Sequence, residues 1–412
     1  MAEAGRNPWS AIRSGDWVTA SRIRSYAAIV LAIGVAMLIA LALTGQGLND
    51  FQGRPLGTDF SNVYAAGKWV LAGRPEAPFD PALQHEMEKR IFGAATPFYG
   101  WHYPPVFLGL AALLALLPYL FALVVWQAAT FFAYLASIRA ILPRPEVWLP
   151  AIAFPAVVIN VAHGHNGFLT AALFGGGLVL LQRRPAIAGM LLGLLCYKPQ
   201  FGLLIPFALL AGGYWRAFAA AAATVIVVCA LSWLAFGGGA WLAFRDSFEF
   251  TRTVVLEQGG TGFHKIQSVF AATRLWGAPP VAAYAAQAAT IAIVALLLVA
   301  LWRSSAAYAL KAAALLTGAL LATPYVLDYD LMLMAPALAF FAAYALERGF
   351  LSYERSVLVF GWFAPLVTRS VGEHIGVPIG LLALVLLFWL ALRRAAADTV
   401  GSRKLSARMR PG

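Results

Sequence analysis

The residues able to do chemistry sit in a few polar islands within a chain that is 61% hydrophobic and only 12% charged. The first, Gly57-Thr58-Asp59-Phe60, places a carboxylate just ahead of a helical stretch containing Tyr64, Gly67 and Trp69. A carboxylate there can take a proton from an attacking hydroxyl, and it can equally cap the helix that follows. Spacing alone leaves those two readings level. His102-Tyr103-Pro104-Pro105 reads as a helix start by its prolines, and so as structural unless His102 and Tyr103 face a site. His163-Gly164-His165-Asn166 sets two imidazoles two residues apart with no third metal ligand nearby, which favours hydrogen bonding to a phosphate or sugar over metal binding.

Tyr197-Lys198-Pro199-Gln200 interrupts the apolar run between Arg184 and Arg216 and splits it into two short helices. An ammonium group there is costly unless it faces protein or water, so Lys198 is either functional or snorkels to the surface. Broken helices of this kind line cavities. Asp328 and Asp330, in Thr323-Pro324-Tyr325-Val326-Leu327-Asp328-Tyr329-Asp330, are placed to hold a cation or orient a sugar, with a solvated loop as the alternative. Arg245, Arg252, His264 and Lys265 offer partners for a phosphate, or are plain loop charges.

The elements that must position these residues belong to a membrane protein. A mean hydropathy of +0.75 is incompatible with a water-facing surface, and apolar runs recur from Tyr26 to Leu392. They predict twelve spans, at about 26–44, 119–138, 145–162, 167–181, 185–197, 200–213, 217–236, 279–301, 306–326, 331–346, 356–371 and 377–392. Pro104 to Leu117 is too short to span and reads as a re-entrant or membrane-lying helix. The net charge of +12 is read by position along such a chain, with no nucleic-acid partner expected. With the N-terminus inside, Arg139 and Arg144, Arg183 and Arg184, Arg216, Arg348 and Arg355 and the basic tail all fall on the cytoplasmic side. All six histidines and most of the acids fall outside, so titratable chemistry gathers on the outer face.

One transmembrane domain therefore fills 1–412, with a cytoplasmic N-terminus at 1–25, outer loops at 45–103 and 237–278, and a basic cytoplasmic tail at 393–412. The first apolar run follows about 25 residues and lacks a small-residue cleavage site, so no removable leader is expected. Cys196 and Cys229 lie inside apolar runs and read as packing residues rather than a disulfide or metal site.

Taken together, Gly57-Thr58-Asp59-Phe60 with Tyr64 and Gly67, Tyr103-Pro104-Pro105, Leu117-Pro118-Tyr119, Gly164-His165-Asn166, Gly189 with Lys198-Pro199-Gln200, and Thr323-Pro324-Tyr325 through Asp328-Tyr329-Asp330 resemble glycosyltransferase family 87. The resemblance covers about residues 50–345. It implies a GT-C-type all-α polytopic helical bundle with re-entrant and amphipathic surface helices. It also implies transfer of a hexose, mannose above all, from a polyprenyl-phosphate sugar to a glycolipid or glycan acceptor on the periplasmic face of the inner membrane, with inversion. In that family the acid of the first outer loop acts as base, which carries over to Asp59 and breaks the tie with the capping reading. His165 stands where the family pattern has glutamine. Lys198 leads the cations expected to meet the lipid phosphate, followed by His163, His165, Arg252, His264 and Lys265; Asn166, Tyr64, His102, Tyr103, Asp328 and Asp330 complete the expected substrate-binding set. No cofactor and no metal are expected, and membrane lipid is an expected partner. The alternative is a transporter or flippase of a lipid-linked sugar, which would also have broken helices and intramembrane charges.

Overall fold

The computed structural model describes the backbone of residues 7–408 and the side chains of residues 7–398. Arg6 and the part of the basic tail beyond 398 lie outside these side chains. Among the described residues the chain is all helical, with three isolated backbone bridges and no strand. Helices are what a lipid solvent requires, because each peptide group must be paired within its own segment.

Six helices are long and apolar enough to cross a membrane: Ala20–Leu43, Tyr119–Ile141, Trp215–Glu257, Pro280–Arg303, Asp328–Arg348 and Ile379–Asp398. The pair Pro145–Ile152 and Pro155–His163, bent by 50°, makes a seventh if counted as one span. Shorter apolar helices occupy Pro105–Ala115, Gly167–Leu180, Pro185–Tyr197, Pro199–Ala211 and Tyr308–Leu321. Each segment expected to span falls on a helix or a helix pair; 356–371 lies within Glu354–Ile375, which is not among the six. Prolines open many of these helices, where the missing N–H has no intrahelical partner to lose.

Small residues let the helices pack closely. Gly189 and Gly193, four residues apart, face the Trp215–Phe250 helix, where an added Cβ would fall 2.2 Å from the Ala217 carbonyl oxygen and 2.7 Å from that of Ala221. Gly67 does the same for the outer loop. A Cβ there would fall 2.1 Å from the Ala111 carbonyl oxygen, so the Thr58–Leu71 helix lies directly on Leu108–Ala115. Tyr308–Leu321 and the first turns of Met334–Arg348 form the centre of the bundle and are almost wholly buried. Cys196 and Cys229 are free and half-buried.

One expected loop is largely helix. The Trp215 helix breaks at Gly237 (φ 75°, ψ 169°), where the expected span ends, but a second helical stretch follows directly to Phe250, and π-helical turns occupy Thr251–Glu257. Of Gly237-Gly238-Gly239 only Gly237 leaves helical geometry, so the chain expected to be loop after the break returns to helix at once. The first outer loop keeps its expected plan of two helices, Thr58–Leu71 and Pro81–Phe92, separated by Gly73 and capped in the second case by Asp80.

Candidate active site

Two glycines bring the first polar island to His163. Gly57 (φ 71°) and Gly164 (φ 63°) both take left-handed backbone geometry. A Cβ on Gly164 would fall 3.2 Å from Gly57 Cα and 2.6 Å from Phe60 Cβ, so neither position tolerates a side chain. The start of Thr58–Leu71 is thereby held against the end of Pro155–His163. Gly57, not Asp59, occupies the cap position, and Asp59 lies in the first turn. The capping reading of Asp59 fails on this geometry.

Thr58 Oγ1 and His163 Nδ1 are hydrogen-bonded at 2.7 Å, and Asp59 Oδ2 lies 4.0 Å from the same ring nitrogen. Asp59 Oδ2 is buried without a hydrogen-bond partner. Loss of hydration raises the Asp59 pKa from its ordinary value to about 7, opposed by a hydrogen bond with Tyr329 and by the positive charge of Lys198. The side chain still keeps 20% of its exposure. It is thus walled by protein on most sides and open on one, which suits a group that must exchange a proton with a bound molecule.

The second cluster is built around the 163–167 turn. Buried amides hold it: Gln127 Nε2 and Asn160 Nδ2 both donate to the His165 carbonyl, at 3.1 and 3.0 Å, while Asn160 Oδ1 accepts from Gly167 N at 2.8 Å. Lys198 comes from the break between the helices ending at Tyr197 and starting at Pro199, and its Nζ lies 2.6 Å from Asp330 Oδ1 and 3.3 Å from His165 Nε2. Asp330 Oδ2 accepts from Leu327 N at 3.0 Å. The Tyr329 ring stacks on His165 with centroids 3.6 Å apart, and Tyr103 Oη reaches His165 Nε2 at 3.5 Å. His165 Nδ1, Asn166 Oδ1 and Trp101 Nε1 are buried polar atoms without partners. Such atoms are costly unless something fills the need.

Asp328 does not join Asp330. It pairs with Arg369 of Glu354–Ile375, whose Nη2 lies 2.8 Å from Asp328 Oδ2. His264 and Lys265 sit on a short turn beside this pair, and the turn is tied to it by the bond from Gln267 N to the Val326 carbonyl at 2.7 Å.

Other expected residues have different positions. Tyr64 donates to the Leu117 carbonyl at 2.8 Å and packs edge-on against Tyr119, so it fixes the loop rather than facing Asp59. Arg252 is exposed and paired with Glu249 and Glu257. His102 bonds Thr251 Oγ1 at 3.0 Å through Nδ1, joining the outer loop to the π-helical turns, and desolvation lowers its pKa to about 4. Sequence reasoning missed Tyr329, Arg369, Thr58, Gln127 and Asn160 as site residues. Gln127 and Asn160 carried a usable signal, being amides inside apolar runs; Arg369 looked like one more cation near a span end.

Residues 101–324, more than half of the chain, match glycosyltransferase family 87. The chain belongs to that family. Comparison with curated proteins and with solved structures returned no match. The matched stretch of this glycosyltransferase carries Tyr103, His163, His165, Asn166 and Lys198, while Asp59, Asp328, Asp330 and Arg369 lie outside it and are joined to it only by the fold. Membership in a transferase family, with apolar helices long enough to cross a bilayer, makes this a membrane glycosyltransferase rather than a transporter.

Proposed function

We propose that the protein transfers a hexose, mannose above all, from a polyprenyl-phosphate carrier to a hydroxyl of a glycolipid or glycan on the periplasmic face of the inner membrane. All twelve expected segments cross or enter the bilayer in this reading, with both termini cytoplasmic. The observation that carries it is the Asp59 carboxyl, with one buried oxygen unpartnered and a pKa near neutrality.

Asp59 takes the proton of the acceptor hydroxyl as that oxygen bonds to the anomeric carbon. The bond from that carbon to the phosphate oxygen breaks, its electron pair leaves on the polyprenyl phosphate, and attack from the opposite face inverts the centre. His163, whose Nδ1 is hydrogen-bonded to Thr58 Oγ1 and lies 4.0 Å from Asp59 Oδ2, walls the base on one side without bonding to it. Lys198 and Asp330 balance each other's charge, so they orient sugar hydroxyls together with Tyr103, His165 and Asn166 instead of meeting the phosphate. The unpartnered Nδ1 of His165 and Oδ1 of Asn166 provide one donor or acceptor each for those hydroxyls.

Incubating the purified protein with polyprenyl-phosphate mannose and a lipid extract tests the proposal. A new mannosylated lipid, with the anomeric configuration inverted, is the expected product. Failure to form a product with this donor, alongside transfer from another lipid-linked sugar, would reject the mannose assignment.

A further inference from the structure

We propose that Arg369, steadied by Asp328, and Lys265 form the receptor for the carrier-lipid phosphate. The inference rests on the donor being a polyprenyl-phosphate sugar, as proposed above.

Three chain segments far apart in sequence are stitched together at this point. Gln267 N donates to the Val326 carbonyl at 2.7 Å, and Thr368 Oγ1 donates to Gln267 Oε1 at 2.6 Å while accepting from Gly380 N at 2.8 Å. Gly372, three residues beyond Arg369 on the same helix, lets the turn approach. A Cβ there would fall 3.1 Å from the His264 carbonyl oxygen. The turn carrying Lys265, the segment carrying Asp328 and the helix carrying Arg369 therefore have fixed relative positions. Rigid placement of charge is what recognition of a developing anion needs.

Not every charge at this point is paired. Arg369 has one arm on the buried Asp328 carboxylate, at 2.8 Å, and its Nε is buried without a hydrogen-bond partner. Its side chain is 38% exposed, against 3% for Asp328, so the guanidinium reaches from a buried anchor towards open space. Lys265 is half-buried, and among the described residues no carboxylate lies within ion-pair distance of it. Asp328 is thus taken up by Arg369, Glu373 acts electrostatically on the neighbouring His264, and the Lys265 ammonium has no ion-pair partner among the described residues. A guanidinium fork held in place by an acid is a strong phosphate ligand, with a lysine beside it as a point charge.

Location agrees with the transfer geometry. Arg369 acts electrostatically on Asp59 without touching it, and both Arg369 and Lys265 act on His163. In-line displacement needs the leaving phosphate on the far side of the sugar from the base, near enough to share the site and too far to pair with Asp59. Lys198, the other cation in the site, has its charge taken up by Asp330 at 2.6 Å.

The test is binding of a short-chain polyprenyl phosphate to the purified full-length protein in detergent, with the matching polyprenol as a phosphate-free control. Arg369→Gln is expected to weaken polyprenyl phosphate by about 10- to 100-fold, the effect of losing charge-assisted hydrogen bonds, and to leave polyprenol unchanged. Arg369→Lys should recover part of the loss. Asp328→Asn, as a change to a positioning residue, should raise the KM for the donor with little effect on kcat or on the KM for the acceptor, which a general loss of structure would not do. Wild-type affinity in a folded Arg369→Gln variant would overturn the inference and leave the proposed reaction standing. Absence of phosphate-dependent binding by the wild type would overturn both. An equal loss of binding to phosphatidylglycerol would overturn the carrier assignment, because it would make the receptor one for any lipid phosphate.

Discussion

Lys198 Nζ lies 2.6 Å from Asp330 Oδ1, and both side chains are almost fully buried. The lysine comes from a helix break and the aspartate from a segment 132 residues further on. Each is the other's ion-pair partner inside an apolar bundle. Removing one partner leaves an uncompensated buried charge, which typically costs about 3–5 kcal/mol. Asp330→Asn should therefore lower the thermal midpoint sharply in detergent. The double change Lys198→Gln with Asp330→Asn should recover most of that loss, and a double variant no more stable than the worse single one would show that the two charges do not support each other.

A base with a pKa of about 7 gives a pH-dependent enzyme. In the proposed reaction Asp59 acts deprotonated, so kcat/KM for the donor should rise as pH increases through about 7 and then level off. The profile is read from initial rates at constant ionic strength. A plateau already reached at pH 5 would show that Asp59 titrates as an ordinary carboxylate.

Glu88 makes a separate prediction about stability. It is wholly buried in the Pro81–Phe92 helix, accepts from Tyr99 N at 3.0 Å through Oε2, and leaves Oε1 unpartnered. Desolvation raises its pKa to about 8. Between the ordinary carboxylate value of 4.5 and about 8 the folded protein holds a proton that the unfolded chain has lost, so Glu88 makes stability fall as pH rises across that window. Glu88→Gln should stabilise the protein by about 1–3 kcal/mol at pH 8 and by little at pH 4.5. Equal effects at both pH values would refute the assignment.

Membrane placement is checked by labelling. Arg184 and Arg216 are exposed at the ends of helices that pack together, while Asp246 lies exposed beyond the Gly237 kink. Cysteine replacing Arg184 or Arg216 should resist an impermeant thiol reagent added outside intact spheroplasts, and cysteine replacing Asp246 should react. Lys198 is unsuitable for this purpose because it is buried. Labelling at position 184 from outside would reverse the proposed orientation.

Much of this arrangement was legible in the sequence, and the illegible parts have physical causes. Apolar runs located the helices, since lipid leaves the backbone few other choices. Lys198 stood out because an ionisable group inside an apolar run is costly, Asp59 by its place ahead of a helix, and His165 and Asp330 by their spacing from a second like residue. Who the partners are was not legible: Asp328 and Asp330 are two residues apart yet reach Arg369 and Lys198 on different helices. The cap at Gly57 was hidden for a related reason. Asp is a good cap by type, but the left-handed backbone at Gly57 and its contact with Gly164 decide where the helix starts, and that contact exists only in the fold. The helix that resumes after the break at Gly237 was obscured by three glycines, of which only Gly237 leaves helical geometry.

The most direct measurement is turnover and donor affinity of Asp59→Asn, in detergent and at matched monodispersity. The asparagine has nearly the same volume and Asp59 does not cap its helix, so folding should be normal. Loss of general base catalysis should lower turnover by about 10²–10⁴-fold, with donor affinity kept because the cations proposed to meet the phosphate are untouched. Wild-type turnover in a folded Asp59→Asn variant would contradict the assignment of Asp59 as the base.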